Sequence, residues 1–264
     1  MRIRSLSTLA AAGVLALVSV AVAHPAAAAG QDYVALGDSY SSGVGTNSYD
    51  SASGACKRSS KAYPRLWANG HSPASFQFVA CSGATTREVL NNQVAALDSG
   101  TDLVTISIGG NDAGFADVVT TCRLQSDSNC EKAVANAKSY ITGTLPGRLD
   151  ETFRAIRGKS PNARVVVLGY PRLFELGGCG VASISEAKRK LLNGGSDTMS
   201  SVISGRAGAA GFSYADVRNR FSGHGVCAGT PWVNGTTLPV IESYHPNAGG
   251  HSGGYLPALN AITG

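Results

Sequence analysis

Past residue 30 the sequence has no uninterrupted apolar run long enough to span a bilayer, so no membrane-crossing segment is expected there. It has no basic cluster and no basic stretch interleaved with aromatics, which argues against a nucleic-acid partner. Cys-x-x-Cys and His-x-x-x-His spacings are missing, so no structural zinc, other metal or cofactor is expected. No internal repeat and no linker-like tract divides the chain.

What is present begins with the first 29 residues. Arg2 and Arg4 precede an uncharged run from Leu9 to Val22, and Ala26 to Ala29 supply small residues, the pattern of a secretory signal cleaved near Ala28 or Ala29. Residues 30–264 are then of a size for one α/β domain. With Arg2 and Arg4 discounted, 20 basic residues face 17 acidic ones, a net charge of +3. That licenses only a weak attraction to anionic surfaces. All six cysteines, Cys56, Cys81, Cys122, Cys130, Cys179 and Cys227, lie in the exported part, and an even number in an oxidising compartment reads as three disulfides. Sequence alone does not choose the pairing; the sequential one, Cys56 to Cys81, Cys122 to Cys130 and Cys179 to Cys227, is the simplest. The expectation is a secreted, extracellular monomer.

Five apolar, β-branched stretches recur with helix-like segments between them: Tyr33 to Leu36, Phe76 to Ala80, Leu103 to Ile108, Arg164 to Leu168 and Phe212 to Ala215. Alternation at this spacing predicts a three-layer α/β/α sandwich around a five-stranded, mainly parallel sheet. Helices are expected over Leu145 to Arg157, Thr85 to Leu97 and Ser185 to Ala210, although Gly194-Gly195 weakens the case that the last is unbroken.

Gly37-Asp38-Ser39-Tyr40 follows the first strand without a spacer, so Ser39 falls where open α/β sheets place ligands. A serine there is ordinarily a helix cap. To act as a nucleophile it needs a base and donors for the oxyanion that forms on a substrate carbonyl. Four histidines follow residue 30: His71, His224, His245 and His251. His71 and His224 read as surface residues, whereas His245 sits in Glu242-Ser243-Tyr244-His245-Pro246-Asn247, with Glu242 three residues ahead as an orienter. The second predicted strand ends in Cys81-Ser82-Gly83, where Gly83 can bring a backbone N–H close to a ligand. The third ends in Gly109-Gly110-Asn111-Asp112, which supplies a side-chain amide.

Read together, the blocks Gly-Asp-Ser-Tyr, Ser-Gly-Ala-Thr, Gly-Gly-Asn-Asp and Tyr-His-Pro, in this order and over nearly all of the exported chain, resemble the SGNH or GDSL hydrolases. The stretches 35–43 and 108–117 look like the secreted lipases and phospholipases A of Streptomyces. The resemblance implies a flavodoxin-like SGNH fold. It implies Ser39 as nucleophile, His245 as general base, and an oxyanion hole of the Ser39 and Gly83 N–H groups with the Asn111 amide. It departs from the family at one place, where Glu242 stands for the usual aspartate; either Glu242 or a backbone carbonyl such as that of Ser243 then fixes the imidazole. The implied activity is hydrolysis of fatty-acyl esters, glycerophospholipids included, on a lipid or small-ester substrate with transient micelle or membrane contact. Carbohydrate or aryl ester deacetylation and a non-catalytic binding role are the alternatives. Phe115, Phe174, Leu176 and Trp232 are candidate linings of an acyl groove.

Overall fold

Valine and isoleucine are stiff at χ1 and, with the aromatic residues, suit a pleated surface, buried on both faces in the inner strands and partly exposed at the two edges. They form five strands, β1 (Asp32–Ala35), β2 (Ser75–Phe78), β3 (Leu103–Ile106), β4 (Arg164–Leu168) and β5 (Ser213–Ala215). In this computed structural model, which describes residues 30–178 and 184–264, the strands make one sheet in the order β2-β1-β3-β4-β5. The signal expected over 1–29 and the residue Cys179 lie outside the described residues, and the expected Cys179 to Cys227 bridge with them. All four pairings are parallel, for example Val34 opposite Gln77 and Val104 opposite Val165. The three inner strands are buried on both faces, as their continuous apolar runs require.

Eight helices cover the sheet among the described residues. They are α1 (Ser39–Ser42), α2 (Tyr63–His71), α3 (Thr86–Glu88), α4 (Phe115–Leu124), α5 (Asp127–Gly143), α6 (Leu145–Lys159), α7 (Glu186–Ala209) and α8 (Leu256–Thr263). On one face α2 and α8 pack on each other and on the strands, with Trp67 edge-on to Tyr33 at 4.9 Å between ring centres. On the other, α6 and α7 pack together, α5 packs on both of them and α4 packs on α5. The stripe Leu145, Leu149, Phe153 and Ile156 is fully buried, and Phe153 meets Phe212 at 5.3 Å.

Several sequence expectations need correction. Strands β2 and β3 stop two residues early, β2 because the Val79 and Ala80 N–H groups both turn onto the Ala35 carbonyl at 3.0 Å. The helix expected over Thr85 to Leu97 changes pitch twice, from α3 through a π-helical turn at Val89–Gln93 to a 3-10 turn at Val94–Ala96. Thr85 is its cap, in a reciprocal capping box with Glu88. Helix α7 runs unbroken through Gly194-Gly195, and α2, α4, α5 and α8 carry no expectation at all. Two disulfides join Cys56 to Cys81 and Cys122 to Cys130. The first fastens the loop after β2; the second staples α4 to α5.

Candidate active site

The chain leaves β1, goes to β2 on one side and then to β3 on the other, so the loop after β1 lies at the switch point of the sheet. Gly37 makes that loop possible: its φ is +123°, and a Cβ there would stand 2.6 Å from the Ser107 carbonyl oxygen. Buried Gln93 holds both backbone groups of Gly37, accepting from its N–H at 2.7 Å and donating to its carbonyl at 2.9 Å. Asp38 caps α1 by accepting from the Tyr40 N–H at 2.9 Å, which sets Ser39 at the first helical position. The Ser39 N–H at such a position has no intrahelical acceptor.

Ser39 Oγ lies 2.8 Å from His245 Nε2, and His245 Nδ1 lies 3.0 Å from the Ser243 carbonyl oxygen. A carbonyl can only accept, so Nδ1 carries the proton and Nε2 is left to accept the Ser39 hydroxyl. Both residues are buried, and burial lowers the His245 pKa to about 4, opposed in part by the Ser243 carbonyl. Of the two candidate orienters, then, the Ser243 carbonyl faces the imidazole. Glu242 does not: its Oε1 accepts the Tyr49 hydroxyl at 2.8 Å. The reason is local backbone geometry, since Val240–Glu242 is a 3-10 turn followed by extended Ser243 and by Tyr244 at φ +60°, which turns consecutive side chains apart.

The histidine loop is held by residues no sequence motif singles out. Tyr40 donates its hydroxyl to the Tyr244 carbonyl at 2.7 Å, and Asn234 ties the Gly45 carbonyl at 2.8 Å while its N–H meets the His245 carbonyl at 2.9 Å. Tyr170, after β4, donates to the Asp38 carboxylate and accepts from the Gly110 N–H at 3.1 Å. Burial raises the Asp38 pKa to about 7, against the Tyr170 and Tyr40 hydrogen bonds.

Gly83 and Asn111 follow β2 and β3. Asn111 Nδ2 gives one hydrogen to the Ala84 carbonyl at 2.9 Å, which leaves the amide's second N–H available. Gly83 has φ +81°, open space where a Cβ would be, and an N–H that no hydrogen bond takes among the described residues. The two loops are locked by Asp112, which accepts the Thr86 N–H at 3.0 Å. Ser39, His245, Gly83 and Asn111 are thus brought to one edge of the sheet.

His71 stacks on Trp67 and His224 on Trp232, both away from this cluster. His251 is fully buried between Tyr63 and Tyr255 and accepts the Tyr63 N–H at 3.2 Å; burial lowers its pKa to about 3. Among the described residues no group of three His, Cys, Asp or Glu side chains is placed to hold a metal ion.

A cleft of about 730 Å³, including the solvent at its mouth, starts at Ser39 and Asn111 and runs between α4, α5 and α7. Its walls are Phe115, Val118 and Val119, then Val134 and Ile141, then Leu192 and Met199. Of the four candidate linings only Phe115 belongs to it. Phe174 packs on Tyr244, Trp232 on Phe221 and His224, and Leu176 is half exposed. Gly195 on α7 lines the cleft too, and nothing stands within 4 Å of where its Cβ would be. Of the two glycines that read as a break in the helix, Gly195 is a gap in the wall, whereas Gly194 lies against the Lys138 side chain on α5. A nucleophile with a neutral base, two sources of N–H donors and an apolar trough suits acyl transfer from an ester with a hydrocarbon acyl part.

Residues 35–252 match the GDSL-like lipase/acylhydrolase family. The chain is 55% identical over 257 residues to Lipase 1 of Streptomyces coelicolor, covering 97% of this chain and 96% of that protein. It resembles the crystal structure of an extracellular lipase from Streptomyces rimosus with a TM-score of 0.86 and 55% identity, over 88% of this chain and 100% of that one. A crystal structure of phospholipase A1 from Streptomyces albidoflavus NA297 is similar at TM-score 0.86 and 56% identity, over 88% and 99%.

Proposed function

As the chain belongs to the GDSL-like lipase/acylhydrolase family, we propose that it is a secreted lipase and phospholipase A that works through an acyl-enzyme on Ser39. The 2.8 Å contact between Ser39 Oγ and the Nε2 of a neutral, carbonyl-held His245 carries the reading.

His245 takes the Ser39 proton as Oγ attacks the ester carbonyl carbon. The oxyanion so formed is met by the N–H groups of Ser39 and Gly83 and by the Asn111 amide, each donor stabilising the transition state by about 3 to 4 kcal/mol. The imidazolium then protonates the departing alkoxide, and water, deprotonated by the same histidine, releases the acid. The pair works as a dyad steadied by the Ser243 carbonyl. The acyl chain lies in the cleft between α4, α5 and α7, which an acetyl group would leave mostly empty. This favours fatty-acyl over acetyl esters.

Residues 1–29 direct export and 30–264 fold as one monomeric domain. Leu238, Val240 and Ile241, all exposed just ahead of His245, are suited to touching a micelle or bilayer surface. No helix of the described residues is long and apolar enough to cross a membrane.

Fatty-acid release from triacylglycerol, phosphatidylcholine and p-nitrophenyl esters tests the proposal. Wild-type protein should release acid from all three, and Ser39→Ala should lose about 10⁴-fold or more in kcat. A Ser39→Ala variant that keeps its activity contradicts it.

A further inference from the structure

Two dissimilar cavities flank the loop after β1. The strand order puts β3 and β4, with the apolar cleft, on one side of Ser39, and β2 on the other. Around the loop after β2 lies a second pocket, of about 870 Å³ including open solvent, bounded by Arg58, the Cys56 to Cys81 disulfide, Gly83, Glu88 and Asn92. An ester has an acyl half and an alcohol half. With the acyl half in the apolar cleft, the alcohol half has this polar pocket within reach, on the far side of Gly83.

The pocket carries two opposite charges that do not neutralise each other. Arg58 has its backbone clamped, its N–H donating to Ser53 Oγ at 3.0 Å and its carbonyl accepting the Asp50 N–H at 2.8 Å. Its guanidinium nevertheless has no ion-pair or hydrogen-bond partner among the described residues. Glu88 accepts the Thr85 N–H at 2.7 Å and the Thr85 hydroxyl, and these bonds hold its carboxyl below the usual range, so it is anionic. No ion pair joins Arg58 and Glu88 within 4.0 Å. A part-buried guanidinium without a carboxylate is a ready partner for a phosphate, which it can engage through two parallel N–H bonds.

We propose that this pocket takes the zwitterionic headgroup of a glycerophospholipid, with Arg58 on the phosphodiester and Glu88 toward the cationic end. The inference rests on the ester-hydrolase reading above and adds to it how phospholipids are told from neutral esters. It assigns Arg58 no part in the hydrolysis of neutral esters.

Kinetics on dioctanoylphosphatidylcholine, dioctanoylphosphatidylglycerol and dioctanoylglycerol, which share their acyl chains, test it. Arg58→Gln should lower kcat/KM on both phospholipids about tenfold or more and on dioctanoylglycerol less than about twofold, with Arg58→Lys in between. Glu88→Gln, which keeps the capping box, should lower phosphatidylcholine turnover about threefold relative to phosphatidylglycerol. Equal losses on phospholipid and diacylglycerol, or no loss on either, overturn the proposal. Wild-type protein that cleaves dioctanoylglycerol but not phosphatidylcholine overturns the headgroup site and leaves the hydrolase standing; cleavage of neither overturns the hydrolase reading itself.

Discussion

At the scale of single residues, an imidazole needs only one fixed acceptor at Nδ1 to be held in the tautomer that receives a proton at Nε2. In this chain that acceptor is a peptide carbonyl, and Glu242 is spent on Tyr49. A carboxylate would also stabilise the imidazolium, and its loss from a true triad costs about 10⁴-fold in kcat. Glu242→Ala is therefore expected to keep kcat on a p-nitrophenyl ester within about threefold of wild type, with any loss appearing in stability through the freed Tyr49. A fall of several orders of magnitude would show that the carboxylate reaches His245 during turnover. Sequence could not choose between the two, because three-residue spacing before the histidine fits either acceptor. The choice is made by backbone angles at Ser243 and Tyr244 that no side chain in the motif announces.

At the scale of elements, Ser39, Gly83 and Asn111 are legible because each stands in the loop just after a strand-forming apolar run and the parallel strands deliver all three to one edge. His245 is different: it follows β5 by thirty positions and is held by Tyr40 and Asn234, so only the Tyr-His-Pro block marks it. The cleft walls were not legible. Helix α5 buries Cys130, Val134 and Ile141 among alanines and polar residues, too sparse a stripe to stand out, and α4 buries only Val119 and Cys122. The Gly194-Gly195 pair was legible as a weakness in a helix, while the consequence of Gly195, an open stretch of cleft wall, is a tertiary one. Filling it makes a prediction. Gly195→Leu, which favours the helix by about 1 kcal/mol on propensity, should leave butanoyl ester hydrolysis nearly unchanged and lower kcat/KM on a hexadecanoyl ester about tenfold. Equal effects on both chain lengths would place the long acyl chain elsewhere.

At the scale of the whole molecule, the buried titratable groups pull stability in opposite directions. His245 and His251 fall from 6.5 to about 4 and about 3 through burial, so below pH 6.5 the unfolded chain binds more protons and stability drops with falling pH. Asp38 rises from 3.8 to about 7, so between those values the native state binds more protons and its contribution is lost as pH rises. Urea unfolding from pH 4 to 7 should therefore show stability climbing more steeply with pH in Asp38→Asn than in wild type; parallel curves would contradict a burial of Asp38 that outweighs its hydrogen bonds. The layer order and parallel sheet were legible from alternation alone, since a buried strand's apolar run and a helix's stripe are local signals. The two cavities on either side of Ser39 were not, because they arise from strand order, which places β2 and β3 on opposite flanks of β1.

Ser39 as the activated nucleophile is tested most directly by covalent labelling. Intact-mass and peptide-mapping spectrometry after reaction with a p-nitrophenyl alkylphosphonate should find one adduct per chain, on Ser39, and none in Ser39→Ala. An adduct on another residue, or one that persists in the alanine variant, would contradict it.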